Sequence, residues 1–189
     1  MIVLLNGAPR AGKSSIAAAL QELLPGVWIN LGVDVSRRTT PPSAQPGIGL
    51  RPGENEHPAA SIAPVLWAAL WESIAAHERL GLNVAADIGL HDPAVAADGA
   101  RRLDGLSVLL VGVRCPVDVA IERRASDPAT YTTERAMVER WERAVHRWAY
   151  DLELDTSLAS PAECAAAIAA RLADGPAPSA FARLATVDA

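Results

Sequence analysis

Lysine is almost missing from this chain. Of 17 basic side chains only Lys13 is a lysine, and every other one is an arginine. Aromatic residues are scarce as well, at 4%, with one Phe, two Tyr and five Trp, so Ala, Val, Leu and Ile must build most of the core. The two cysteines, Cys115 and Cys164, stand far apart and lack metal-ligand spacing, which excludes a disulfide framework or a zinc motif and reads as two core thiols. No apolar run reaches about 18 residues, and no charged leader precedes an apolar one, so no membrane segment or export signal is expected and the protein is assigned to the cytoplasm. There is no basic block, and the net charge is −5, which argues against a nucleic-acid surface. What remains is a chain of 189 residues, 50% hydrophobic, long enough for one domain with a sizeable core and suited to small-molecule chemistry.

The single lysine sits in the most informative stretch. An apolar run, Ile2 to Leu5, meets Gly7-Ala8-Pro9-Arg10-Ala11-Gly12-Lys13-Ser14, followed by Ser15 and a helix-like IAAALQELL. This is the G-x-x-x-x-G-K-[ST] pattern of a phosphate-binding loop, with the strand before and helix after that it requires. Gly7 and Gly12 permit a tight loop whose amides cradle phosphate oxygens, and the helix adds its positive N-terminal end. Lys13 supplies a cation to the β- and γ-phosphates, and Ser14 offers a hydroxyl to Mg²⁺.

Further along, Val27 to Asp34 reads as a short buried strand ending in an acid. Ser36 to Ala60 is dense in Pro, Gly and polar residues without a usable period, and a stretch this long in a compact domain is expected to be a functional loop. It carries Arg37, Arg38 and Arg51, candidates for an anionic or hydroxyl-rich substrate. Ser61 to Leu80 resumes helical spacing, with Trp67 and Trp71 on one face, either an aromatic wall for substrate or packed core. Leu82 to Gly89 is a strand with Asp87 at its carboxyl end, and Leu106 to Cys115 is expected to be a central parallel strand. A helix from Pro116 runs into a polar break at Ala125 to Thr133, flanked by Arg123, Arg124 and Arg135, and Glu134 to Trp148 is helical. Tyr150 to Thr156 alternates like an edge strand. Ser160, Pro161 and Glu163 make a strong helix start.

Five strands alternating with crossover-length helices predict an α/β fold with a five-stranded parallel sheet and helices on both faces. Ligands in such sheets bind outside the strands' carboxyl ends, where Gly7, Asp34, Asp87 and Cys115 fall. The domain is expected over 1–172, with a substrate loop at 35–60 after the second strand and a small lid at 123–135 after the fourth. Residues 173–189 read as a loosely ordered Ala/Pro-rich tail. Asp34 is the candidate base toward an acceptor hydroxyl, and Asp87, ending an apolar run, the candidate metal carboxylate beside Ser14. Arginines on a lid, Arg123, Arg124 and Arg135, suit the charge that spreads over a transferring phosphoryl group. A GTPase base reader of the form N-K-x-D is excluded because no second lysine exists, and Asp87 is followed by Ile88 rather than by the Glu that activates water in motor ATPases. Transfer to a bound hydroxyl therefore fits better than hydrolysis.

With these residues assembled, Ile2 to Leu172 resembles the chloramphenicol phosphotransferase-like family of P-loop kinases. The resemblance is carried by LNGAPRAGKSS, LGVD ending at Asp34, the strand closing at Asp87, VGVRC at Val111 to Cys115, Val145-His146 and YDLELDT. It implies a P-loop kinase fold, Mg²⁺-dependent transfer from ATP or GTP to a hydroxyl of an antibiotic or similar natural product, a base at Asp34 and a lid arginine near Arg123. The chain departs from the family type in ASDPATYTT of the lid and in the composition of Ser36 to Ala60. Both segments shape the acceptor pocket, so nucleoside antibiotics such as capuramycin fit as well as chloramphenicol. A housekeeping kinase for a sugar, shikimate-like acid or nucleotide, and a nucleotide-binding switch without chemistry, are the competing readings. His146, Trp141 and Trp148 are read as core or interface residues.

Overall fold

The computed structural model describes residues 1–45, 58–125, 135–175 and 179–186. Five strands, β1 (Ile2–Gly7), β2 (Trp28–Gly32), β3 (Asn83–Ile88), β4 (Val108–Arg114) and β5 (Leu152–Asp155), form one parallel sheet in the order β2-β3-β1-β4-β5. β1 is central, and Ile2 to Leu5 are fully buried, as an unalternating apolar run flanked on both sides requires. Ile2 and Leu4 face one layer, built from α3 (Ala63–Arg79) and α4 (Pro93–Arg102), whereas Val3 and Leu5 face α1 (Lys13–Leu23) and α7 (Pro161–Ala173). The helices thus cover both faces. Among the described residues no helix is long and apolar enough to cross a membrane.

Local chemistry sets the helix ends. Asp92 accepts a hydrogen bond from the Ala94 amide at 2.8 Å ahead of Pro93, and Ser160 with Glu163 completes a capping box on α7. Burial of β5 is partial, in keeping with its edge position. β4 lies inside the sheet but beside the centre, which belongs to β1.

Several expectations need correction. Val27 to Asp34 is not one buried strand ending in an acid: β2 stops at Gly32, its middle residues are half-buried because it is the other edge, and Asp34 lies in the first turn of α2 (Val33–Thr39). The start of the supposed irregular stretch is therefore helical. Asp34 in the first turn and Arg37 and Arg38 in the last complement the helix dipole, and Pro41 then excludes continuation. Short 3₁₀ turns follow at Pro42–Ala44 and Pro58–Ile62. Arg51 and most of the expected substrate loop lie outside the described residues.

Trp67 and Trp71 are core rather than an aromatic wall. Their rings stack at 5.4 Å, and 2% and 0% of them is exposed, because this face of α3 packs toward the sheet and α4. Gly99 of α4 lies so close that a Cβ there would come within 2.6 Å of the Trp71 ring. The tail also differs from the loose segment expected of it. Phe181 is 1% exposed with its ring 5.6 Å from that of Trp71, and the Asp151 carboxylate accepts from the amides of Leu110 (2.8 Å) and Ala180 (2.7 Å), tying the returning chain to β4.

Candidate active site

The loop between β1 and α1 requires its two glycines for different reasons, a close contact at one and a left-handed backbone at the other. A Cβ on Gly7 would lie 2.4 Å from the Val113 carbonyl oxygen, and Gly12 adopts a φ of +92°. Arg10 also has a positive φ, +69°. Ala8 and Ala11 are buried, Pro9 is half-buried, and the Ala11 amide donates to the Ala8 carbonyl at 3.2 Å, closing the turn. No side chain caps the first turn of α1, and no acid lies in it, so its positive end belongs to the loop mouth.

Lys13 begins α1 and is 8% exposed, with Nζ donating to the Ala8 carbonyl at 2.9 Å and lying 3.5 Å from Asp87 Oδ1. Ser14 Oγ donates to the other Asp87 oxygen at 2.5 Å. Asp87 reaches this place because β3 is hydrogen-bonded to β1, with Asp87 opposite Leu5. On its other side Asp87 is level with Gly32 of β2, where a Cβ would come within 2.5 Å of the Asp87 carbonyl oxygen. The structure thus brings together Lys13, Ser14 and Asp87, a cation, a hydroxyl and a carboxylate at one strand end. Ser15, one residue on, is exposed.

Asp34 stands two residues beyond Gly32, with a 65% exposed carboxylate whose Oδ1 is 3.9 Å from Arg37 Nε. Arg38 is exposed beside it. An open groove of about 340 Å³ runs between α2 and α3, lined by Val35, Ser36, Thr39, Thr40, Leu66 and Leu70 among others. By helical period Asp34 falls on the opposite side of α2 from Val35, Ser36 and Thr39, so this groove does not face the candidate base.

Arg123 lies near the end of α5 (Val117–Ala125), and its guanidinium is turned onto the outer side of the phosphate loop. Nη1 donates to Thr156 Oγ1 (2.9 Å) and to the Arg10 carbonyl (3.4 Å), and Nη2 to the Thr156 carbonyl (2.7 Å). Cys115 is buried against Nη1, at 3.5 Å, and burial pushes its thiol up while the arginine pulls the other way. Arg135 opens α6 (Arg135–His146) and binds the carboxylates of Asp118 and Glu139, stapling α6 to α5. The Arg124 side chain and residues 126–134, most of the expected lid, lie outside the described residues.

Sequence reasoning missed two groups. Asn6 is fully buried immediately before Gly7; its Oδ1 accepts from the Leu90 amide (2.7 Å) and its Nδ2 donates to the Tyr150 hydroxyl (2.9 Å), which donates in turn to the Val145 carbonyl. Trp148, just past the end of α6, donates to the Leu90 carbonyl at 3.1 Å. Trp141 and Val145 of α6 pack on Ala8, whereas His146 is exposed and bound to Glu142. α6 is thereby fastened to the phosphate loop. The only signal was a lone Asn interrupting a buried run. The second missed residue is Thr156, whose hydroxyl donates to the Ala11 carbonyl at 2.8 Å.

Among the described residues, no three His, Cys, Asp or Glu side chains cluster as a self-sufficient metal cage. Ser14 and Asp87 nevertheless offer the paired hard oxygens that suit Mg²⁺ when phosphate oxygens complete its shell.

A Mycobacterium tuberculosis (strain H37Rv) protein named as a candidate O-phosphotransferase, Rv2636, is 28% identical over 97% of this chain and 87% of its own length. The structure of the Deinococcus radiodurans tunicamycin resistance protein superposes with a TM-score of 0.65 at 20% identity, covering 90% of this chain and 94% of that one. Shikimate kinase from Acinetobacter baumannii, solved with shikimate, gives 0.64 at 17% identity over 92% and 93%. These two likenesses establish the P-loop kinase fold. Residues 1–173, the phosphate loop and its partners included, match the family described as chloramphenicol phosphotransferase-like protein, and the chain belongs to that family as a phosphotransferase of the small-molecule kinase type.

Proposed function

We propose that the protein transfers the γ-phosphoryl group of ATP or GTP, with Mg²⁺, to a hydroxyl of an antibiotic or related natural product, giving resistance or self-protection. The observation that carries this reading is the convergence of Lys13, Ser14 and Asp87 at the end of β1 and β3, with Asp34 two residues past the strand that closes on Asp87. Lys13 neutralises charge as it spreads over the phosphoryl oxygens. Ser14 and Asp87 would hold Mg²⁺, which would withdraw charge from the transferring phosphate. Asp34, exposed in the first turn of α2, takes the proton from the attacking hydroxyl. Arg37 and Arg38 lie beside that position and orient the acceptor. The family's own description favours a natural-product acceptor over a central metabolite.

The test is an ADP- and GDP-release screen with Mg²⁺ and each triphosphate against hydroxyl-bearing antibiotics and common metabolites. Turnover with an antibiotic that disappears in Asp34→Ala supports the proposal. Turnover confined to a sugar, shikimate-like or nucleotide acceptor replaces it with a metabolic kinase.

A further inference from the structure

The outer side of the phosphate loop is held as carefully as its inner side. Three carbonyls of the loop are engaged: Ala8 by the Lys13 ammonium, Arg10 by Arg123 and Ala11 by Thr156. A trans peptide places the carbonyl of one residue antiparallel to the amide of the next. Holding the Ala11 carbonyl on Thr156 therefore turns the Gly12 amide away from Thr156, and in a loop of this pattern the amides face the phosphates.

We propose that Thr156 is a positioning residue for phosphate binding: its hydroxyl, oriented by Arg123, sets the Gly12 amide by holding the Ala11 carbonyl. This rests on the reading of the loop as a nucleoside triphosphate site. A hydroxyl has one proton to give. Arg123 can only donate, so Thr156 Oγ1 accepts from Nη1 at 2.9 Å, and its own proton goes to the Ala11 carbonyl at 2.8 Å in preference to the Arg114 carbonyl at 3.3 Å. Accepting from a cation polarises the hydroxyl and strengthens the bond it donates.

Thr156 is itself immobilised. Its amide donates to the Arg114 carbonyl of β4 at 3.1 Å, and its carbonyl accepts from Arg123 Nη2 at 2.7 Å. Its methyl group lies 3.2 Å from where a Gly12 Cβ would be, so it also backs the loop at its left-handed turn. The arrangement spans three elements: α5 provides Arg123, the end of β5 provides Thr156, and both meet the turn that contains the positive φ of Arg10 and Gly12. A left-handed residue bearing a side chain persists where surrounding contacts over-determine it, and the bond from Arg123 to the Arg10 carbonyl is one such contact. Arg123, in this arrangement, acts on phosphate through the loop backbone rather than by direct contact.

The test compares two variants in the full chain, with affinity for Mg²⁺-ATP and Mg²⁺-GTP measured by titration calorimetry and folding by thermal melting. Thr156→Val removes the hydroxyl at constant shape; Thr156→Ser keeps the hydroxyl and removes the methyl group. The expected result is a loss of triphosphate affinity of about tenfold or more in Thr156→Val, the scale of one charge-assisted amide contact, with Thr156→Ser close to wild type. Affinity for the unphosphorylated nucleoside is unchanged in both. If Thr156→Val does not fold, Arg123→Lys carries the test, since a lysine is one bond shorter and lacks the two-nitrogen fork that grips the Thr156 hydroxyl and carbonyl, and the same selective loss is expected. Wild-type affinity in the hydroxyl-free variant, or an equal loss in Thr156→Ser, overturns the proposal while leaving the triphosphate site intact. Absence of triphosphate binding by the wild-type protein overturns the site reading and this proposal together.

Discussion

The two halves of the candidate site are built to different standards. On the phosphate side, Lys13 is 8% exposed, Asn6 is fully buried, and the loop's carbonyls are held by Lys13, Arg123 and Thr156. On the acceptor side, α2 has no buried residue, Asp34 is 65% exposed, and its nearest ionic neighbour is the Arg37 guanidinium at 3.9 Å. Under the proposed function the difference follows from what each half recognises. A triphosphate chain presents the same oxygens every time, so a rigid nest of amides can be prepared for it. An acceptor hydroxyl comes attached to varied scaffolds, and a lightly held turn carrying an acid and two arginines accommodates variation at the cost of preorganisation.

Substitutions on the two sides should therefore fail in different ways. The largest effect is expected for Lys13→Ala: turnover falls by roughly 10³-fold or more while the melting temperature stays near wild type, because a charge facing the transition state is lost and little packing with it. Loss of the fold together with activity would mean that the phosphate loop is part of the stabilising core and not a separately removable site. Asp34→Ala should reduce the rate of transfer by roughly 10²-fold or more and leave triphosphate affinity unchanged, as calorimetry would show. Weakened triphosphate binding in that variant would erase the division between the halves.

Tyr150→Phe probes the rigid half without touching its charges. Losing the hydroxyl between Asn6 and Val145 should cost about 1 kcal/mol of stability. Burial raises this phenol from its ordinary value of 10.0 to about 12, so the folded state favours the neutral form. That contribution is complete below pH 10 and is lost as pH rises from there toward about 12. Denaturant titrations across this range should show an alkaline decline in wild type that Tyr150→Phe lacks. The smallest effect is expected for Arg38→Ala, an exposed residue of α2: a change of about tenfold or less in KM for the acceptor, with kcat for a good acceptor and triphosphate KM unaltered.

Legibility in the sequence divides along the same line. Gly7, Gly12, Lys13 and Ser14 were readable because the loop's backbone and its phosphate chemistry admit few residue types at a fixed spacing, and the Ser160–Glu163 capping box was readable because helix ends use local partners. Four of the strands followed from apolar runs and β5 from its alternation. Asn6, Tyr150 and Thr156 were not readable, because their partners lie 84, 144 and 145 positions away and nothing local marks them. α2 was missed because its polar residues look like a loop until the dipole and Pro41 are weighed together. The pair Trp67 and Trp71 shares a face by spacing alone, but spacing does not say whether that face meets ligand or core, and the sheet and Phe181 decided it.

The most direct test of the account is the mass of an acceptor incubated with the wild-type protein, Mg²⁺ and ATP or GTP, compared with the same reaction run with Asp34→Ala. The account predicts an antibiotic or related natural product that gains one phosphoryl group on a hydroxyl, with the matching nucleoside diphosphate, and no such product from the variant. Diphosphate released at the same rate with and without acceptor, and no acceptor gaining mass, would contradict it and leave a nucleotide hydrolase or switch in its place.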